Sequence, residues 1–201
     1  RAIAERKRLI YRAKSVRLQT TSKSVSAKIM SPWKKFRTLL FSSVPSESST
    51  LQSFEDLELP AELIEALSAE GFEEPTEFQR TTIPLLRRGN NLLGAAGPGA
   101  GTLLAYGTAI LERTDPQTGR PGALVLVPTA VAATSLAESL ARIAAATGHS
   151  VGALGGAWLL PERCDVLFAT PDSVKSAVDG SGLTLEGVRC LVVDGAAAIE
   201  T

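Results

Sequence analysis

Histidine, cysteine and methionine are almost missing from this chain of 201 residues: His149, Cys164, Cys190 and Met30 are all it has. A disulfide scaffold, a Cys/His zinc site and a histidine-based catalytic triad are thereby excluded, because each lacks its ligands or its base. Scarce cysteine points to a reducing compartment and a cytoplasmic location. Long apolar runs are lacking too. Lys, Arg, Glu, Pro or Gly interrupts every apolar stretch well short of the roughly 18 to 20 residues that a membrane-spanning helix needs. With 44% hydrophobic and 21% charged residues, the composition is that of one globular domain plus an extension.

Net charge is absent as well, since 21 basic residues balance 21 acidic ones. The balance hides a division. Residues 1–37 hold twelve Lys or Arg against Glu5 alone, a net +11, and the rest of the chain carries −11. Residues 1–50 are basic and serine-rich and end in the turn-prone stretch Ser42 to Thr50. The plainest reading is a poorly ordered extension. A transit-type targeting segment, a basic nucleic-acid arm and an upstream-reading artefact compete with it. The acidic body should repel a bare phosphate backbone unless a local basic patch overrides it.

From Leu51 onward the punctuation becomes regular. Pro60, Leu63, Ile64, Leu67 and then Gly71 describe a short amphipathic helix with proline in its first turn and glycine beyond its end. Pro75 and Thr76 open a second helix that runs to about Arg88. Leu92 to Ala96 reads as a short apolar strand, and a helix follows from about Thr102 to Arg113. Ala123 to Val127 is an unbroken apolar strand of the kind buried on both faces of a parallel sheet. A helix from about Val131 to Ala146 comes next. Further strands are expected at Val151 to Leu154, Asp165 to Ala169 and Arg189 to Val193, with a helix after Pro171. Strands alternating with helices imply right-handed crossovers and an α/β fold: a parallel, doubly wound sheet flanked by helices. Its ligand crevice lies off the carboxyl ends of the strands. Gly97 to Gly101, Pro128 and Thr129, Thr170 and Pro171, and Asp194 all follow strands.

A glycine-rich turn between a strand and a helix exposes backbone N–H groups at the positive end of the helix dipole, where phosphate binds. Gly97-Pro98-Gly99-Ala100-Gly101-Thr102 has that form, and tight strand-to-helix packing without a ligand explains it equally well. The neighbouring segments distinguish the two. Gly71-Phe72-Glu73-Glu74-Pro75-Thr76-Glu77-Phe78-Gln79 resembles the Q motif of DEAD-box RNA helicases, with Phe54 seventeen residues upstream of Gly71, where that family places an isolated aromatic. Leu104-Ala105-Tyr106 resembles the usual continuation of the family's phosphate loop. Pro128-Thr129 is similar to motif Ia, Gly155-Gly156 to the double-glycine motif, and Thr170-Pro171 to motif Ib. Asp194 stands at the first position of the DEAD tetrapeptide. The resemblance covers Leu51 to Thr201 and implies a RecA-like lobe of the P-loop NTPase type.

What the resemblance implies for chemistry is mixed. Gln79 would read the adenine edge and Phe54 would stack on the base, with Phe72 in the same motif and Gly97, Gly99, Gly101 and Thr102 around the phosphates. ATP or ADP is therefore the expected ligand, held weakly. The lysine and threonine that end the family's phosphate loop are Thr102 and Leu103 here, so the charge that draws in the β- and γ-phosphates and a magnesium-binding hydroxyl are gone. The tetrapeptide reads Asp194-Gly195-Ala196-Ala197, which removes the glutamate that would activate water and leaves Mg2+ doubtful. No residue is expected to be catalytic.

RNA contacts are expected at Pro128, Thr129, Gly155, Gly156, Thr170 and Pro171. They are eroded, because Ala130-Val131 replaces arginine and glutamate and Asp172-Ser173 replaces glycine and arginine. The chain ends seven residues beyond Asp194, so the fold is expected to be incomplete at its C-terminus, with the SAT motif and the second lobe outside it. The reading is a degenerate first lobe. An active lobe needing a second lobe or a partner is one competitor, and a protein-interaction module is the other. His149 is expected to be solvated, Cys164 and Cys190 to behave as small hydrophobes, Trp33 to belong to the basic tail and Trp158 to lie in a patch or in the core.

Overall fold

The computed structural model describes residues 53–155, 164–180 and 182–199. The extension before them, Trp33, Gly156 and Trp158 lie outside the described residues. Helix α1 is Ala61–Ala69, α2 Glu77–Arg87 and α3 Thr102–Arg113, followed by strand β1, Ala123–Leu126. Then come α4, Ala130–Ala144, β2, Val151–Leu154, β3, Val166–Ala169, α5, Pro171–Asp179, and β4, Cys190–Val193. The four strands are parallel in the order β2-β3-β1-β4. The expected doubly wound architecture is thus present, with helices on both sides of the sheet.

Alternation along the strands divides the interior into two layers. Ala123, Val125 and Val127 with Val166 and Phe168 face α1, α3 and α4 and form the larger core, which Leu63, Leu67, Ile83, Ile110 and Leu140 complete. Leu124, Leu167 and Ala169 face the other way and pack with Val174 of α5 and Leu183. β1 and β3 are accordingly apolar at every position, as strands buried on both faces must be. β4 is half-covered: Cys190 and Val192 pack on the larger core, whereas Leu191 is 58% and Val193 47% exposed.

Leu92 to Ala96 is not a strand. This stretch has no regular structure, and Leu93 is 67% exposed. An apolar pentapeptide becomes a strand only where a neighbour offers a ladder of hydrogen bonds. Among the described residues β4 pairs with β1 alone and nothing lies along its other edge. Apolar composition here signals neither burial nor a partner: Leu92 is half-buried, and Leu93 to Ala96 are exposed.

His149 is not solvated either. It is 8% exposed, with Nδ1 at 2.8 Å from the Thr147 hydroxyl and Nε2 at 2.8 Å from the Thr114 carbonyl. A carbonyl only accepts, so Nε2 carries the proton. Cys164 is buried, its thiol donates to the Val166 carbonyl at 2.9 Å, and burial pushes its pKa up to about 12, which keeps it unreactive.

Arg87 ties the helical layer together. Its Nε donates to both Glu112 oxygens at 2.9 and 2.8 Å, and Nη1 donates to the Leu57 carbonyl at 2.8 Å. Both side chains are mostly buried, which makes this pair stronger than a solvated one. Arg87→Ala should cost about 1 to 2 kcal/mol in chemical denaturation, by the loss of charge-assisted hydrogen bonds.

Candidate nucleotide and phosphate cleft

Thr76 and Gln79 form a capping box at the start of α2. The Thr76 hydroxyl accepts from the Gln79 N–H at 3.2 Å, and Gln79 Oε1 accepts from the Thr76 N–H at 2.9 Å. Each side chain also donates onward to the glycine loop. Thr76 Oγ1 reaches the Ala100 carbonyl at 2.7 Å, and Gln79 Nε2 reaches the Gly101 carbonyl at 3.0 Å. Gln79 is only 2% exposed, so the residue expected to read adenine is also a latch between α2 and the loop. One lone pair on Oε1 and one Nε2 hydrogen are not used by these contacts.

The latch leaves no room for a side chain at the end of the loop. Gly101 has φ +73°, and a Cβ there would stand 2.1 Å from Gln79 Nε2. Gly99, at φ +79°, and Gly97 have open space beside them, so their backbone is accessible to a ligand. Thr102 begins α3 directly after Gly101. The expected phosphate-loop residues therefore come together at one helix N-terminus, where the dipole favours an anion.

The two aromatics part company. Phe72 is 42% exposed, while Phe54 is 2% exposed and packs in the larger core. In this arrangement Phe54 is a core residue and offers no open ring face to a base.

Asp194 follows β4, and its N–H bonds to the Leu126 carbonyl at 2.9 Å. Its carboxylate accepts a hydrogen bond from the Tyr106 hydroxyl of α3 at 3.1 Å. Burial first, and the Asp194 charge second, hold the Tyr106 phenol well above its ordinary pKa, so it remains a donor. The residue after Asp194 is Gly195 at φ +72°, and a Cβ there would lie 2.9 Å from Pro128 Cγ.

The other expected contacts gather at the same edge of the sheet. Thr129 caps α4 by accepting from the Ala132 N–H at 3.1 Å, and Thr170 caps α5 by accepting from the Ser173 N–H at 3.2 Å, with Pro171 in the first helical position. Gly155 follows β2, and a Cβ there would lie 3.2 Å from Ser173 Oγ. Pro128, Thr129, Gly155, Thr170 and Pro171 are thus placed together. Ala130 and Val131 stand where the resemblance places arginine and glutamate, with Val131 79% exposed, and Asp172 occupies the first turn of α5.

In the sequence Tyr106 stands out only as part of a motif, and the bond from Thr76 to the loop is not marked there. The capping-box pattern Thr-x-x-Gln was a usable signal for the second. Nothing local signalled the first, because Tyr106 and Asp194 are 88 residues apart.

A parallel sheet with two threonine-capped helix starts at its carboxyl edge, and a glycine loop opening a third helix, defines a doubly wound α/β lobe. The family model described as DEAD/DEAH box helicase matches residues 76–200, and the chain belongs to that family. The pre-mRNA-splicing ATP-dependent RNA helicase PRP28 of Candida glabrata is 33% identical over 164 residues, covering 69% of this chain and 28% of that protein. The ATP-dependent RNA helicase DeaD of Haemophilus influenzae is 31% identical over 152 residues, covering 72% of this chain and 25% of that protein. The chain thus spans between a quarter and a third of the length of these two relatives.

Solved structures share the fold. S. cerevisiae Dbp5 bound to RNA and ADP BeF3 matches with a TM-score of 0.67 at 23% identity, covering 72% of this chain and 38% of that chain. Prp28 from Chaetomium thermophilum bound to ADP matches with a TM-score of 0.67 at 24% identity, covering 73% of this chain and 39% of that chain. The sheet and its helices are those of a RecA-like lobe. Among the described residues no helix is long and apolar enough to cross a membrane.

Proposed function

We propose that residues 51–201 are a degenerate first lobe of a DEAD-box helicase, which binds an adenine nucleotide and an RNA backbone weakly and neither hydrolyses ATP nor unwinds a duplex. The observation that carries this reading is the Asp194-Gly195 turn. The sequence has no water-activating carboxylate at Gly195, and the left-handed backbone there, with a Cβ position 2.9 Å from Pro128 Cγ, supports the reading by disfavouring any side chain. Phosphoryl transfer depends on positioning and on neutralising charge. Without the loop lysine and that carboxylate, the loss of transition-state stabilisation amounts to several kcal/mol, at least about a thousandfold in rate.

Binding has more support. The Gln79 amide keeps hydrogen-bonding capacity, the Gly97 to Gly99 backbone is open, and solved relatives of this fold are described with ADP and with RNA. RNA would meet the N–H groups at the starts of α4 and α5 without an arginine beside them, so affinity should be low and its salt dependence shallow. A protein partner or a second helicase lobe would supply the remaining contacts.

The test is a titration of the whole chain with a fluorescent adenine nucleotide, run beside a phosphate-release assay with magnesium and RNA. Saturable binding with no turnover is expected. Steady magnesium-driven phosphate release by the isolated chain would overturn the reading, and no binding at millimolar nucleotide would replace it with a pure interaction module.

A further inference from the structure

Acids crowd one stretch of the surface. From Glu55 to Glu77 the chain places nine Asp or Glu and no Lys, Arg or His, and all nine are exposed. The stretch runs over the turn before α1, along α1 and into the start of α2. Leu63 and Leu67 turn the apolar side of α1 into the core, which leaves Glu62 and Glu65, three residues apart, as neighbours on its outer side. The Phe72 N–H bonds back to the Leu67 carbonyl at 2.9 Å, so Glu73 and Glu74 continue directly from the end of the same helix. Arg87 reaches Glu58, and Arg142 reaches Glu70. Glu62, Glu65, Glu73, Glu74 and Glu77 form no ion pair among the described residues.

Uncompensated charge of one sign on a folded surface repels itself and draws in the opposite charge. The opposite charge is in the same chain. Residues 1–37 hold twelve Lys or Arg against Glu5, and they join the fold at the acidic stretch itself: residues 38–52 carry one charge, Glu47, and Ser53 stands two residues before Glu55. Those fifteen connecting residues bridge about 20 Å as a coil, and α1, nine residues long, measures about 14 Å, so the whole outer face is within reach. A single exposed ion pair contributes little. Many pairs on one short tether act at an effective concentration in the millimolar range, where their small contributions accumulate.

We propose that residues 1–37 dock in cis on the outer face of α1 and the acidic turns flanking it, and that this contact competes with nucleic acid for the cations of the basic segment. Charge and point of attachment both select this occupant. RNA phosphates have to displace the carboxylates before they pair with the segment, so the acidic face lowers the affinity of the whole chain for RNA. The inference goes beyond the reading of the cleft and does not depend on nucleotide binding there.

The experiment treats the whole chain with a carbodiimide, which joins a lysine amine to a carboxylate in contact with it, and maps the links in the monomer by mass spectrometry. At low salt, where screening extends beyond about 10 Å, the six lysines of residues 1–37 should link to Glu62, Glu65, Glu73 or Glu74. At about 1 M salt the screening length falls to about 3 Å, and the yield of those links should fall at least about fivefold. A second measurement reads the consequence, the binding of a fluorescent single-stranded oligouridylate. The triple variant Glu62→Gln, Glu65→Gln, Glu73→Gln should bind it at least about threefold more tightly than the parent. The control Glu138→Gln, Asp179→Asn, Glu186→Gln removes as much charge from exposed positions elsewhere and should change affinity by less than about 1.5-fold. Equal tightening in the two triples would show net charge alone at work and overturn the inference. Links confined to covalent dimers would place the segment on a second copy and overturn it too. So would an absence of these links at low salt, and none of these results touches the reading of the cleft.

Discussion

Asp165→Ala is expected to cost about 3 to 5 kcal/mol, a large share of the 5 to 15 kcal/mol that separates most folded domains from their unfolded chains. Asp165 has no exposed surface and begins the run into β3. One carboxylate oxygen accepts from the Ser150 N–H at 2.9 Å and from the Ser150 hydroxyl at 2.8 Å. The other accepts from the Thr118 N–H at 3.0 Å and lies 3.3 Å from the Thr118 hydroxyl. A single side chain therefore joins the loop after α3 to the start of β2 at the amino ends of the strands. Alanine would leave two main-chain donors without partners in a dry setting, which costs more than the net worth of the bonds themselves. Asp165→Asn should recover part of the loss, since one oxygen still accepts, but its amide hydrogens would face the opposing donors.

The same residue sets an acid limit on stability. Burial on its own pushes the Asp165 carboxyl upward, but the donors at Ser150, Gln117 and Thr118 outweigh it and hold the group below the ordinary carboxylate value. A depressed pKa in the folded state means that the stabilisation is complete above the unfolded value near about 4 and is lost as pH falls through the lower folded value. Urea midpoints measured from neutral pH downward should stay level through about pH 5 and then drop. In Asp165→Asn that drop should be shallower. An identical acid profile for the two proteins would show that other carboxylates govern it.

Putting the family's residues back should not restore hydrolysis. The variant Thr102→Lys, Leu103→Thr, Gly195→Glu is expected to bind nucleotide more tightly through its lysine, yet to release no more phosphate than its parent. The obstacle is geometric. Glutamate at position 195 meets a backbone at φ +72° and a proline ring 2.9 Å from its first side-chain atom. Left-handed backbone costs a residue with a Cβ about 1 to 2 kcal/mol, and relieving the contact with Pro128 adds to it. Gly195→Glu alone should lower stability by about 2 to 3 kcal/mol, or about 4 to 12 °C in melting temperature for a domain of this size. Gly195→Ala separates the two causes, because it carries the same strain without the charge. If the triple variant melts with its parent and turns over ATP, the turn has refolded and the lobe is dormant, not closed.

Much of the scaffold was legible because its determinants are local. Thr129 and Thr170 cap α4 and α5 at the positions their strand-proline or threonine-proline contexts suggest, and the apolar runs at Ala123–Leu126 and Val166–Ala169 are strands buried on both faces. α3 begins and ends where glycine and the apolar period placed it. Pro128, Thr129, Gly155, Thr170, Pro171 and Asp194 lie at one edge because in a parallel α/β sheet that is where strand-following residues go.

The rest was decided by partners far away in the chain. Leu92 to Ala96 carries a strand's composition but lacks a neighbour, and a hydrogen-bond ladder is a property of two segments. Phe54 looked like a base-stacking ring and is a core residue, because whether a ring is covered depends on α2 and on the sheet beneath it. His149 and Asp165, polar residues that by type belong in water, are buried because hydroxyls, amides and a carbonyl from separate loops converge to satisfy them. The Tyr106–Asp194 bond and the proline against Gly195 belong to the same class. Amino-acid order determines what each residue can bond and which backbone shapes it tolerates. Which of those capacities a ligand finds free is set only when the folded chain has assigned the others.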